Sequence, residues 1–133
     1  MAIQFSTAVA NAMLDQIETT ISTSPVLEIR TGSAPADCSQ ADSGTLLASL
    51  TLPSDWMAAA SGGSKAKSGT WQDTSADNSG TAAHYRLKAS GGTVHSQGTV
   101  TATGGGGDLT LDNTNISAGQ SVTITSWTWS IAV

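Results

Sequence analysis

The fold is decided by residues 83–103, which read AHYRLKASGGTVHSQGTVTAT. Apolar and polar residues alternate over the first seven positions, Gly91-Gly92 follows, and a segment rich in threonine and valine comes next. Alternation with a period of two is typical of a β-strand with one buried face, and a glycine pair between two such runs is typical of a turn. The stretch therefore predicts two neighbouring strands, with a bulge at Gly98 because glycine within a strand often marks one.

Further short strands are predicted on both sides of this pair, separated by turns rich in glycine, proline and aspartate. They lie at residues 26–30, 45–52, around Trp71, at 109–111 and at 121–133. In the last run the apolar side changes near Thr125, which implies a bulge or a strand that crosses between sheets. Many short strands at close spacing favour a mainly β fold, an antiparallel β-sandwich of the jelly-roll type.

The first 24 residues follow a different pattern, in which apolar residues recur every four positions. That spacing places them on one face of a helix, with Asp15, Gln16 and Glu18 largely on the other face. Ser6 or Thr7 is suited to cap the start, and Pro25 ends the helix because proline forces the preceding residue out of the α conformation. We therefore expect an amphipathic α-helix over about residues 6–21. The recurring residues are Phe5, Val9, Met13, Ile17 and Ile21.

The chain thus divides into an N-terminal helix segment, residues 1–24, and a β-sandwich domain, residues 25–133. The helix either packs on that domain or docks on a partner, and the pattern leaves both open. The segment between Gly62 and Gly69, with Lys65 and Lys67, is predicted to be an exposed loop, and the four glycines at 104–107 a mobile or tightly turned one.

Composition argues against several classes of function. Serine, threonine, alanine and glycine make up more than half of the 133 residues, while charged residues are only 11% and the formal net charge is −5. Five lysines and arginines are too few for a polyanion-binding surface, so we expect no nucleic acid partner. We expect no membrane partner either, because no apolar run approaches the ~20 residues that span a bilayer. The N-terminus does not read as a signal peptide.

Residues for catalysis or metal binding are sparse and poorly spaced. Cys38 is the only cysteine and lacks a recognisable histidine partner, so we interpret it as a small buried or half-buried thiol. His84 and His95 could meet across neighbouring strands to bind zinc, and pairs of aspartates in loops could bind calcium, but neither set has a known ligand spacing. Turn capping by aspartate is the simpler interpretation. We therefore predict no catalytic residues, no metal and no cofactor. The aspartate pairs are Asp37/Asp42, Asp73/Asp77 and Asp108/Asp112.

The four tryptophans have two competing interpretations. Exposed tryptophans on a β-sandwich stack on sugar rings in many carbohydrate-binding modules, which would require at least two coplanar exposed rings. Alternatively, tryptophans fill the core, because the chain has only one phenylalanine and one tyrosine. Trp127 and Trp129 are two residues apart on one strand face, so both should be buried or both presented. The other two are Trp56 and Trp71.

Three segments of the chain resemble a family of small structural proteins of tailed bacteriophages. They are residues 24–57, 70–101 and 109–129, beginning SPVLEIRTGS, TWQDTSADNS and LTLDNTNISA. The resemblance implies a non-enzymatic capsid cement or decoration protein, which binds the outside of the head and stabilises it. A tail- or fibre-associated structural role is the alternative within this class, and a carbohydrate-binding module is the alternative outside it.

The resemblance also implies partners and a location. The partners would be the major capsid protein and other copies of the chain, as a homodimer or homotrimer. The location would be the capsid surface of the virion, after synthesis in the cytoplasm of the host bacterium. The interface residues we predict lie on the apolar face of the helix and at the two ends of the segment from Trp56 to Trp71. They are Phe5, Val9, Met13, Ile17, Trp56 and Trp71.

Overall fold

The computed structural model describes residues 3–133 and shows a mainly β protein with one helix at its N-terminal end. This confirms the mainly β class and the leading helix. The helix is α1 (Thr7–Ile21), and the strands are β1 (Val26–Arg30), β2 (Leu46–Thr51), β3 (Ser64–Ala66), β4 (Trp71–Asp73), β5 (Gly80–Thr81), β6 (His84–Lys88), β7 (Val94–Ala102), β8 (Leu109–Leu111), β9 (Asn115–Ile116), β10 (Val122–Ile124) and β11 (Thr128–Ser130).

Helix α1 begins and ends as its sequence predicts. The Ser6 hydroxyl accepts a hydrogen bond from the backbone N–H of Val9 at 3.2 Å, which satisfies one of the free donors of the first turn. At the other end the N–H of Ser22 donates to the carbonyl of Glu18 at 2.8 Å. Ser22 has a φ of 73° and Ser24 a φ of 49°, so the chain leaves the helix through left-handed backbone before Pro25.

The largest sheet has the strand order β2-β1-β6-β7-β8. Its first four strands pair antiparallel, and the β6–β7 pair confirms the two strands predicted from residues 83–103. The predicted bulge at Gly98 is wrong, because Gly98 pairs regularly with Tyr85 and the register shifts between Leu87 and Lys88 instead. Gly98 is needed for space: a Cβ there would lie 2.8 Å from the Tyr85 ring and from the Asp108 carboxylate.

Strand β8 pairs parallel with β7, which a purely antiparallel sandwich does not predict. The chain turns back after Ala102 and places Leu109 beside Val100. The glycines at 104–107 make this tight return possible, since Gly104 and Gly106 have φ values of 87° and 81°. They therefore form a tight turn, one of the two forms expected for this segment.

The end of the chain crosses between sheets, as the change of its apolar side predicts. β10 pairs with β4, whereas β11 pairs with β3 in a separate two-stranded sheet. β5 and β9 form a third small sheet. β4 lies beside the edge strand β2, where the Asp73 carboxylate accepts a hydrogen bond from the N–H of Ser49 at 2.9 Å.

The expectation of an exposed loop between Gly62 and Gly69 is wrong. β3 lies within this segment, and Lys65 at its centre is only 1% exposed. The side chain is buried because it lies beneath α1, where carboxylates pair with it. The hydrophilic composition of this segment therefore did not predict its strand, which packs against the helix.

Candidate interaction surface

The tryptophans form one contiguous cluster inside the protein. Trp56 contacts Trp71 and Trp129, while Trp127 packs edge-on against Trp71 and Trp129, with ring centroids 5.5–6.0 Å apart. Tyr85 joins the cluster through Trp127 at 4.9 Å. Trp127 is buried and Trp129 is half-buried against the core, so the two share an environment as their spacing predicts.

The placement of Trp56 and Trp71 corrects the expectation that they form an interface. Both side chains are 0% exposed. Their indole N–H groups donate to backbone carbonyls, that of Trp56 to Ser22 at 2.9 Å and that of Trp71 to Ser68 at 3.1 Å. The chain has few other large aromatic side chains, so the tryptophans fill the core. The cluster presents no pair of coplanar exposed rings of the kind that a sugar-stacking site needs.

A charged network fixes the long polar loop between β1 and β2 onto the main sheet. The Asp42 carboxylate lies 3.0 Å from an Arg86 guanidinium nitrogen, and the Lys88 ammonium donates to it at 2.6 Å. Arg86 is 0% exposed and also donates to the carbonyls of Cys38 and Gln40. The loop is therefore tied to the sheet by part-buried hydrogen bonds and an ion pair, which sequence reasoning did not predict.

The electrostatics of this network favour a charged Asp42. Burial by itself raises the pKa of the Asp42 carboxyl, but the hydrogen bond from Lys88 and the positive charges of Arg30, Lys88 and Arg86 outweigh burial and lower that pKa below its ordinary 3.8. Glu28 completes the network through ion pairs with Arg30 at 2.9 Å and Lys88 at 3.0 Å.

A second charged cluster attaches the helix to the β domain. The buried Lys65 ammonium lies 2.7 Å from the carboxylates of Asp15 and Glu18 and donates to the carbonyl of Ala58 at 2.9 Å. The hydrogen bond from Lys65, helped by one from the N–H of Ala60, lowers the pKa of the Asp15 carboxyl. The two acidic side chains of α1 therefore face inward to one lysine.

All five lysine and arginine side chains are engaged within the chain. Four take part in the two clusters, and the fifth, Lys67, donates to the carbonyl of Gly69 at 2.7 Å and lies 5.7 Å from the centre of the Trp71 ring. Carboxylates and carbonyls of the chain already bind these cations. A phosphate group would have to displace those acceptors in order to bind. Within residues 3–133, the surface accordingly carries no cluster of free basic side chains.

The candidate metal and catalytic residues do not come together. Thr99 faces His84 across the β6–β7 pair, while His95 lies near the end of α1, so the suggested two-histidine zinc pair is wrong. His84 is buried, with Nδ1 2.7 Å from the carbonyl of Gly32. Within residues 3–133, no three His, Cys, Asp or Glu side chains are grouped as metal ligands would be.

Two of the loop aspartates, Asp37 and Asp73, cap turns, as the simpler interpretation held. Asp37 accepts a hydrogen bond from the N–H of Ser39 at 2.8 Å, and Asp73 accepts one from Ser75 at 3.0 Å. Asp108 accepts from both the N–H and the hydroxyl of Thr99. Cys38 is a half-buried free thiol on the wall of an open cavity of about 600 Å³.

The outer side of α1 is the apolar part of the surface. The helix packs on the domain through Ala10, Leu14 and Ile21, which are at most 3% exposed. Of the predicted helix face, Ile21 belongs to this contact, whereas Phe5, Val9 and Ile17 are 41%, 46% and 37% exposed and Met13 is half-buried. The helix therefore both packs on its own domain and presents an apolar strip that residues 3–133 leave exposed.

Comparison of the chain with models of protein families, with curated proteins and with solved structures gives no match. No helix within residues 3–133 combines the length and apolar character needed to cross a bilayer.

Proposed function

We propose that the chain is a structural protein of a bacteriophage virion, a cement protein that binds the outside of the head and stabilises it. The observation that carries the proposal is the contrast between the helix and the rest of the surface. Phe5 just before the helix and Val9 and Ile17 on it are exposed, whereas every lysine and arginine is engaged in internal contacts. Such a molecule is suited to contacts between proteins rather than to chemistry on a small substrate.

The low charge of the surface supports repeated contacts in a lattice. Charged residues make up 11% of the chain, so a large contact area forms with little desolvation of charge. The loop held by Arg86 and Asp42 is already ordered, which reduces the conformational entropy lost when it meets a partner. The resemblance of the sequence to small phage structural proteins points to the same class.

The proposed mechanism is mass action on the assembled shell. A protein that binds only the expanded shell stabilises that state against disassembly, by an amount that grows with its free concentration relative to its dissociation constant. In this proposal the five-stranded sheet and the small sheets act as a jelly-roll-like sandwich, a compact body from which α1 presents its apolar strip.

Fractionation of virions tests the proposal. Heads and tails of the phage that encodes the chain are separated, and the chain is quantified in each fraction by mass spectrometry against the major capsid protein. We expect a fixed ratio to the major capsid protein in heads and none in tails. Its presence in tails alone would favour the tail-associated alternative, and its absence from both fractions would contradict a virion role.

A further inference from the structure

We propose that the apolar strip of α1 joins two copies of this chain as a two-fold symmetric dimer. The inference deepens the proposed function and rests on it for the role of the dimer in the shell, although the dimer itself is a property of the isolated chain. The surface involved, here called the helix patch, consists of Ile3, Phe5, Val9, Met13, Ile17 and Val133.

The exposed large apolar side chains of residues 3–133 are concentrated in this patch. Their exposed fractions are 76% for Ile3, 41% for Phe5, 46% for Val9, 37% for Ile17 and 47% for Val133. The C-terminus lies beside the start of the helix, because the N–H of Phe5 donates to the carbonyl of Ala132 at 2.9 Å and the Gln4 side chain donates to that of Val133 at 3.1 Å. The patch is therefore built from both ends of the chain.

The exposed area is close to what a small specific dimer requires. These fractions correspond to roughly 400 Å² of apolar surface per copy, within the ~300–600 Å² of the largest patch on a typical monomer, which is often functional. Two such patches give about 800 Å² of apolar area, and homodimer interfaces are about 65% apolar, so the total buried area would be near 1,200 Å². That value is at the lower limit for specific interfaces, where weak and transient complexes are found, so we expect a dimer that dissociates on dilution.

The charge distribution selects a second copy as the occupant. Asp15 and Glu18 are the only charged side chains of α1, and both are bound to Lys65 beneath the helix. The six side chains of the patch are uncharged, so two identical patches bring no charged side chains together although each chain carries a net charge of −5. A strongly charged partner would find no complementary group there.

The shape of the strip supports an antiparallel arrangement of the two helices. Residues spaced by four form a ridge that packs against the same ridge of another helix, and a two-fold axis gives each residue the same partners in both copies. A groove of about 250 Å³ lies at the far end of the strip, beside Met13, Ile17 and His95. In an antiparallel pair, Phe5 of one copy lies over this groove of the other copy, and Val9 lies near Met13.

Sedimentation velocity on the purified full chain tests the inference. At about 100 µM we expect a species of twice the 13.4 kDa chain mass, which dissociates on dilution. Ile17→Lys places a charge in the interface and should raise the dissociation constant at least tenfold. Thr19→Lys adds the same charge at an exposed position on another side of the helix and should leave the constant within about twofold. Val9→Thr keeps the side-chain shape while adding a hydroxyl, so an intermediate increase is expected even if the lysine variant folds poorly.

Three outcomes would overturn the inference: a wild-type chain that is monomeric at this concentration, a trimer, or equal effects of the two lysine variants. The result is independent of the virion test. If the chain is a dimer but is absent from heads, this inference holds and the proposed function is wrong. If the chain is a monomer but binds heads, the proposed function holds and this inference is wrong.

Discussion

Two buried cations determine much of the structure at the scale of single residues. Lys65 and Arg86 lie on short strands, and each binds hydrogen-bond acceptors in a segment distant in sequence. A buried ammonium or guanidinium group is tolerated only when carboxylates and carbonyls replace its water. These two side chains therefore fix α1 and the β1–β2 loop more specifically than apolar contacts alone would.

Lys65→Met should destabilise the protein by about 2 kcal/mol, because it removes the ammonium group and leaves the carbonyl of Ala58 without its donor. The matched control is Lys67→Met, which loses an exposed hydrogen bond to Gly69 and should cost less than half as much. Urea unfolding followed by tryptophan fluorescence measures both. Equal losses would show that Lys65 does not hold the helix in place.

Asp42→Asn should weaken the dependence of stability on acid pH. The pKa of Asp42 is lower in the folded protein than its ordinary 3.8, so its contribution to stability is fully present above that value and is lost as the pH falls through the folded pKa. The difference in unfolding free energy between the wild type and Asp42→Asn should therefore be largest near pH 6 and shrink below about pH 4. Urea titrations at pH 6 and pH 3 measure it, and a difference that grows in acid would contradict the assignment.

At the scale of elements, β6, β7 and the β7–β8 connection lie close together because residue 98 is a glycine and has no side chain. A Cβ at Gly98 would lie 2.8 Å from the Tyr85 ring and from the Asp108 carboxylate, whereas one at Gly91 would meet nothing within 4 Å. Tyr85 in turn contacts Trp127, so a displacement at Gly98 would reach the tryptophan cluster.

Gly98→Ala should therefore destabilise the protein by about 1–3 kcal/mol through overpacking. Gly91→Ala, in the turn after β6, is the control and should change stability by less than about 1 kcal/mol, because the space is open and its φ is not positive. Thermal unfolding by circular dichroism compares the two. A Gly98→Ala protein as stable as the control would mean that this packing is looser than described.

The sequence predicted those elements whose signals are local. Ser6 and Pro25 mark the ends of α1, alternation identifies β6 and β7, and the change of apolar side near Thr125 anticipates the separation of β10 from β11. The parallel β7–β8 pairing was missed, because the direction of a short strand depends on contacts that no local pattern reveals.

The candidate site was less predictable, because burial of charge depends on long-range partners. Lys65 is fifty residues from Asp15, and Arg86 lies on a strand whose alternation suggests a solvated second face until the β1–β2 loop covers it. Trp56 and Trp71 were misplaced for a related reason, since a tryptophan in a segment without regular alternation fits an exposed ring as well as a buried one. The spacing of four identified one apolar stripe on the helix, but of its residues only Ile21 is buried, and the contact with the domain is completed by Ala10 and Leu14. The role of the exposed residues of that stripe as an interface stays a prediction.

At the scale of the whole molecule, a β body whose lysines and arginines are paired internally carries one helix with an exposed apolar strip. In the proposed function, the body would supply a weakly charged surface and the helix patch the contact between copies. Such a unit would add to a symmetric shell and stabilise it only once the shell has formed.

The most direct test is the temperature at which filled heads release their DNA, measured with a DNA-binding dye. Heads from a phage that lacks this chain should release DNA at a lower temperature than wild-type heads. Adding back the purified chain should restore the original temperature at a saturating, fixed ratio to the major capsid protein. Identical release temperatures with and without the chain, together with no binding of the purified chain to the heads, would contradict the proposed function.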